Sequence, residues 1–153
     1  MTATNHALTG AIIGLSLSNP LLAVPLALVS HFALDALPHF GFDKGSGDTS
    51  ILRTKAFIRL LVIDIILCLL LVATIVIVHP GNWLLATVCA FVATSPDTLS
   101  INRFMTALKG KEYALKGYQK FARDIQWFER PIGSVVELAW FISALVILQY
   151  LVR

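Results

Sequence analysis

The chain has 153 residues, 57% hydrophobic and 14% charged, with a formal net charge of +3. Soluble domains carry about 25% charged residues, so this composition excludes an ordinary soluble domain and indicates one integral membrane domain. The modest positive balance fits cytoplasmic loops rather than nucleic-acid binding, which is not expected. Cys68 and Cys89 stand singly in apolar runs, without the spacing of a zinc site or disulfide framework.

In chain order, a first helix is expected over residues 7–18, with Asn5 as a candidate N-cap. The N-terminus lacks a basic region, so no cleavable signal peptide is expected. Gly10 and Gly14 give this helix a face that a second helix can approach closely. Asn19-Pro20 forms a turn, and a second helix is expected over 21–37. It leads into Ser30-His31-Phe32-Ala33-Leu34-Asp35-Ala36-Leu37-Pro38-His39-Phe40-Gly41. Steps of four residues advance about 40° around a helix, which places His31, Asp35 and His39 on one stripe about 80° wide. Residues at i and i+4 are how a helix offers two ligands to one ion. Pro38 ends or kinks the helix, so His39 is expected to hang from its end and point back.

Residues 41–53 read as a Gly-rich polar loop without the pattern of a phosphate-binding loop. A third helix follows over 54–78, then a turn at His79-Pro80-Gly81-Asn82, where His79 is expected to be only a turn residue. A fourth helix is expected over 83–95, ended by Ser95-Pro96-Asp97. Residues 98–130 are basic and interleaved with aromatics, as in one or two amphipathic helices lying on a membrane surface. A last span is expected over 131–151. The fold class is therefore all-α, a membrane bundle of about five helices plus interfacial helices, forming a single domain over 1–153.

Of the 12 Lys and Arg residues, all except Arg153 lie in or beside segments 41–59 and 98–130. The positive-inside rule puts both segments and the N-terminus in the cytoplasm. On that topology His6, His31, Asp35, His39, Asp64 and Asp97 gather at one membrane face.

Imidazole and carboxylate together suit zinc, and also manganese, iron or nickel. The candidate metal ligands are His6, His31, Asp35, His39 and Asp97. A bound ion activates water and polarises a phosphoryl or carbonyl oxygen. Asp64 is a candidate general base, ligand or partner of a ligating histidine; equally, it could bond a neighbouring helix or pair with Arg59. Arg59 and Arg103 are candidates to hold a lipid phosphate, against simple snorkelling to the headgroups. Glu137 is a further intramembrane acid without an assigned partner.

Three stretches carry a resemblance: His6-Ala7-Leu8-Thr9-Gly10-Ala11-Ile12-Ile13-Gly14, Ser30-His31-Phe32-Ala33-Leu34-Asp35, and Pro96-Asp97 after an apolar run. They cover about a quarter of the chain. They resemble the membrane-bound metal-dependent hydrolase family, small inner-membrane proteins that include a LexA-regulated member. The resemblance implies a multi-span helical protein of a bacterial or archaeal cytoplasmic membrane, with His6, His31, Asp35 and Asp97 as metal residues.

The expected function is metal-dependent hydrolysis, at the cytoplasmic interface, of an ester or phosphoester in a lipid or lipid-linked substrate. Two rivals stand beside it. The His/Asp cluster could serve metal-ion or proton passage in a non-enzymatic membrane protein, or His6 and His31 could ligate haem.

Overall fold

Thr2 holds an extended backbone, and helix α1, Ala3–Ser16, starts directly after it. The computed structural model describes residues 1–41, 52, 54–111 and 115–153, apart from the side chains of Arg103 and Ala107. Within these residues the chain is all-helical. Helices α2, Pro20–Asp35, α3, Lys55–Val78, and α4, Trp83–Thr98, follow α1. Two short helices come next, α5, Ile101–Leu108, and α6, Tyr118–Ile125; a 3-10 turn over Pro131–Gly133 then leads into α7, Ser134–Leu151. Of the polar loop expected over 41–53, all but Gly41 and Leu52 lies outside the described residues.

Local chemistry explains most boundaries. Asn19 accepts from the Leu21 N–H at 2.9 Å, with Pro20 at the first helical position, a placement that loses no helical hydrogen bond. Thr54 caps α3 by accepting from Phe57 N–H at 3.2 Å. At its far end His79 adopts a left-handed conformation, φ 55°, and its ring lies against Trp83 with centroids 4.5 Å apart.

Two boundaries differ from the sequence reading. Thr2 rather than Asn5 precedes α1; Asn5 lies inside the helix, buried, and its amide donates to the Glu137 carbonyl at 3.2 Å. Helix α4 does not stop at Ser95 but runs through Pro96 to Thr98. A proline inside a helix leaves the carbonyl four residues back without its donor. Here that carbonyl belongs to Val92, and the Ser95 hydroxyl donates to it at 2.8 Å.

Helix α1 is the hub, packing against α2, α3, α4 and α7. Small residues allow this. Ala7, Ala11, Ala86 and Ala90 pack with Leu8, Leu71, Ile75 and Leu148 in one apolar cluster, and Ala23, Ala27, Cys89 and Ala93 form a second between α2 and α4. A Cβ built on Gly10 would stand 2.3 Å from the Cys89 carbonyl oxygen, and one on Gly14 would stand 2.5 Å from the Ala86 Cα. Both obstacles are backbone and cannot swing aside. Gly10→Ala should therefore push α1 off α4 and destabilise the fold by roughly 1–3 kcal/mol, the usual cost of overpacking. A lowered thermal midpoint in detergent would show it; an unchanged midpoint would refute close α1–α4 packing.

Among the described residues two segments are long and apolar enough to cross a membrane, Lys55–Val78 with a mean hydropathy of 3.2 and Pro131–Leu151 with 2.0. Only 11% and 22% of these windows are buried. The core helix of a soluble protein would be mostly covered, whereas these turn their apolar side chains outward. The strongly amphipathic α6 lies across the end of α2, where Phe32 meets Phe121 and Tyr118 at ring-centroid distances of 5.6 and 6.4 Å.

Candidate metal centre

The end of α2 supplies His31 and Asp35, one helical turn apart and both buried. The start of α1 brings in His6, whose ring stacks on that of His31 with centroids 4.1 Å apart and planes 25° apart. The Asp35 carboxylate faces both rings. Its Oδ1 lies 3.1 Å from His6 Nε2, and its Oδ2 lies 3.3 Å from His31 Nε2. One ligand atom from each of these three residues falls within 4.8 Å of the other two. Ligands about 2.1 Å from a tetrahedral ion stand about 3.4 Å apart, close to the 3.1 and 3.3 Å between the Asp35 oxygens and the two rings.

The orientation of His31 is more telling than the distances. Its Nδ1 lies 2.8 Å from the carbonyl oxygen of Ala93 on α4. A carbonyl can only accept, so Nδ1 carries the proton. In the neutral ring, Nε2 then presents a lone pair toward Asp35 Oδ2 and toward Asp97 Oδ1, 3.8 Å away. A lone pair facing two carboxylates is repelled unless the ring is protonated or a cation lies among them. An N–H given to a backbone carbonyl is also how metal-binding histidines are commonly held. His6 adds an orphan: among the described residues nothing hydrogen-bonds its buried Nδ1. The donor set, two imidazoles and a carboxylate, fits a divalent ion.

Asp97 gives the cluster an open side. Its side chain is 48% exposed, against 3% or less for His6, His31 and Asp35. Further donors converge on Asp35. The Met1 amine lies 2.7 Å from Oδ1, and Gln126, just after α6, donates to Oδ2 at 3.0 Å. Tyr118 ties α6 to α4 by donating to the Pro96 carbonyl at 3.1 Å. Burial, with the nearby Asp97 and Asp35 carboxylates adding to it, pushes the Tyr118 phenol above its ordinary pKa, so it stays a donor.

Other residues singled out from the sequence stand elsewhere. His39 is buried, but its Nδ1 donates to the Leu37 carbonyl at 2.8 Å and its backbone pairs with residues 128–130. Pro38 takes the chain out of the helix, so the stripe ends at Asp35. Asp64 turns to the start of α1, accepting from Ala3 N–H at 2.8 Å, Thr4 N–H at 2.9 Å and the Thr4 hydroxyl. Arg59 is exposed on α3, and the Arg103 side chain lies outside the described residues. Glu137 gains partners the sequence did not give, accepting from the Thr2 and Phe40 N–H groups.

The unpaired N–H groups at a helix start, and the positive end of its dipole, attract acids. Asp64 from α3 and Glu137 from α7 meet that demand and fix α1 so that His6 reaches Asp35. Neither Gln126 nor the Ala93 carbonyl had a readable sequence signal. Gln126 is one polar residue in a polar segment, and every residue has a carbonyl.

Comparisons with protein-family models, with characterised proteins and with solved structures gave no match.

Because Gln126 steadies the carboxylate that faces both histidines, Gln126→Ala should weaken divalent-metal binding by about 10–100-fold, as for other residues behind a metal ligand. Titration with zinc in detergent measures it. Unchanged affinity would exclude any role for this contact.

Proposed function

We propose that the protein is a multi-span helical membrane hydrolase whose metal centre is formed by His6, His31 and Asp35, with Asp97 at its open edge. The observation carrying this reading is His31, held by the Ala93 carbonyl with its Nε2 turned toward both Asp35 and Asp97. When bound there, a divalent ion, zinc first and manganese, iron or nickel next, supplies Lewis acidity toward water and toward a phosphoryl or carbonyl oxygen. The chain's own residues position that ion. Asp35 bridges the two rings, Gln126 holds its outer oxygen, and the exposed Asp97 carboxylate stands where substrate and water arrive and can accept a proton.

The substrate class follows from location. All five apolar helices, α1, α2, α3, α4 and α7, are taken as membrane-embedded, with the N-terminus and both basic segments in the cytoplasm. A centre at the end of α2 then lies at headgroup depth and meets the ester and phosphoester bonds of lipids or lipid-linked compounds. Membership of the membrane-bound metal-dependent hydrolase family is part of this proposal.

Two observations weigh against the rival readings. The stacked rings of His6 and His31 leave no slot for a haem between them. Beyond His6 the interior passes to Leu8, Ala11, Ile75 and Leu148, all apolar, which suits a packed core better than an ion path.

The test is metal analysis of the purified protein, followed by turnover of a panel of phospholipids and lipid-linked phosphates with each of the four metals. Stoichiometric metal and release of one headgroup or acyl product are expected. Absence of both would overturn the proposal.

A further inference from the structure

A groove of about 260 Å3 opens between α3 and α4, with Ala7 of α1 at its floor. Cys68 and Val72 form one wall, and Thr87, Phe91 and Thr94 the other. Both threonines direct their hydroxyls to their own helix, Thr87 to the Trp83 carbonyl at 2.9 Å and Thr94 to the Phe91 carbonyl at 2.9 Å. With those protons already committed, the groove makes no polar demand on what fills it. Its mouth is flanked by Phe91 and Leu69, 68% and 64% exposed, so it is continuous with the outward apolar surface of α3 and α4.

One end of this groove is lined by residues that neighbour the candidate centre in sequence. Ala7 directly follows His6. Thr94 lies three residues before Asp97, on the same side of α4. Cys68 Sγ lies 3.8 Å from the hydroxyl of Thr4, which also bonds Asp64. From Thr94 back to Thr87 the groove runs about 10 Å along α4, away from the site and into the apolar part of the protein.

We infer that the groove seats one hydrocarbon chain of a membrane lipid, placing that lipid's ester or phosphoester linkage at the Asp97 edge of the centre. This rests on the hydrolase reading for its chemistry but not for its geometry. An apolar slot that opens sideways to hydrocarbon and ends at a polar cluster matches the layout of a lipid, tail inside and linkage at the end. It also selects substrates, since a linkage without an attached chain would lack this hold.

The test uses the full chain, metal-loaded, in phospholipid vesicles doped with a phospholipid carrying a diazirine midway along one acyl chain. After illumination, peptide mapping should find label concentrated at Cys68, Leu69, Val72 and Phe91. The equally outward residues Leu138, Ile142 and Val146 of α7 serve as the reference for ordinary lipid contact. Val72→Phe should cut groove labelling about tenfold, as for about two methylene groups left outside. It should also raise KM for a long-chain ester by a similar factor, while metal content, helix content and turnover of a short-chain soluble ester stay unchanged.

Equal labelling of the groove and α7 would overturn the inference even if lipid hydrolysis is found. Groove labelling that Val72→Phe removes, without turnover of any substrate, would uphold the seat and overturn the hydrolase. If Val72→Phe lowers helix content, the wild-type label distribution still decides.

Discussion

Asp35→Ala should release the divalent metal and abolish lipid-linkage turnover in one step. Asp35 is the residue that faces both histidines, so its loss leaves His6 without a carboxylate and His31 with only Asp97 at 3.8 Å. Metal affinity should fall by more than the roughly 10–100-fold expected for residues behind the ligands. Asp35→Asn keeps the shape, retains an oxygen for Gln126 and removes the charge. It should fail as completely, which separates a need for charge from a need for packing. His31→Ala should match either variant, and the His31→Ala/Asp35→Ala double variant should be little worse than each alone, because ligands that act as a unit are not additive. Metal analysis and turnover on the same samples check this, with circular dichroism showing retained helix. A double variant whose losses multiply would mean that the two residues act separately.

Asp64→Ala should have the largest effect on folding. The carboxylate accepts from two successive N–H groups at the start of α1 and from the Thr4 hydroxyl. The Thr4 hydroxyl keeps the Asp64 backbone carbonyl as an acceptor, but the two N–H groups are stranded in a part-buried position at about 1–3 kcal/mol each, so a loss of roughly 2–6 kcal/mol is expected. Because α1 carries His6, metal affinity should fall with it. Asp64→Asn keeps an acceptor on one side and should cost about half as much. Thermal unfolding measures the ranking. The pair also distinguishes two roles for Asp64: an anchor tolerates asparagine with much of the turnover retained, whereas a general base does not.

How much of this was legible depended on how local each feature is. His31 and Asp35 share a helix, so their spacing alone placed them together. Their meeting with His6 depends on the small residues of α1 and α4, and only the Gly10–Gly14 spacing hinted at that approach. His39 fitted the arithmetic of a continuous helix, but Pro38 redirects the backbone and sends the side chain to the Leu37 carbonyl. Pro96 read as a terminator because a proline costs a hydrogen bond; the neighbouring serine supplies that bond, and the helix continues to Thr98. Asp64 and Glu137 were conspicuous as acids in apolar runs. Their partners are backbone N–H groups from distant residues, which leave no side-chain pattern to find.

Were the helices embedded as proposed, their unequal lengths would bear on the surrounding bilayer. Helices α1, α2 and α4 have 14, 16 and 16 residues, and α3 has 24. At about 1.5 Å per residue these are roughly 21–24 Å and 36 Å long, against a hydrocarbon thickness of about 30 Å. A bilayer meeting short elements thins locally, while a long one tilts or thickens its surroundings. The sector bounded by α2 and α4 would therefore draw the headgroup boundary inward beside His31 and Asp97, while α3 holds full thickness on its own flank. On the proposed reading, lipids in that dip would stand at the depth of the centre, and their linkages would reach it without being lifted from the membrane.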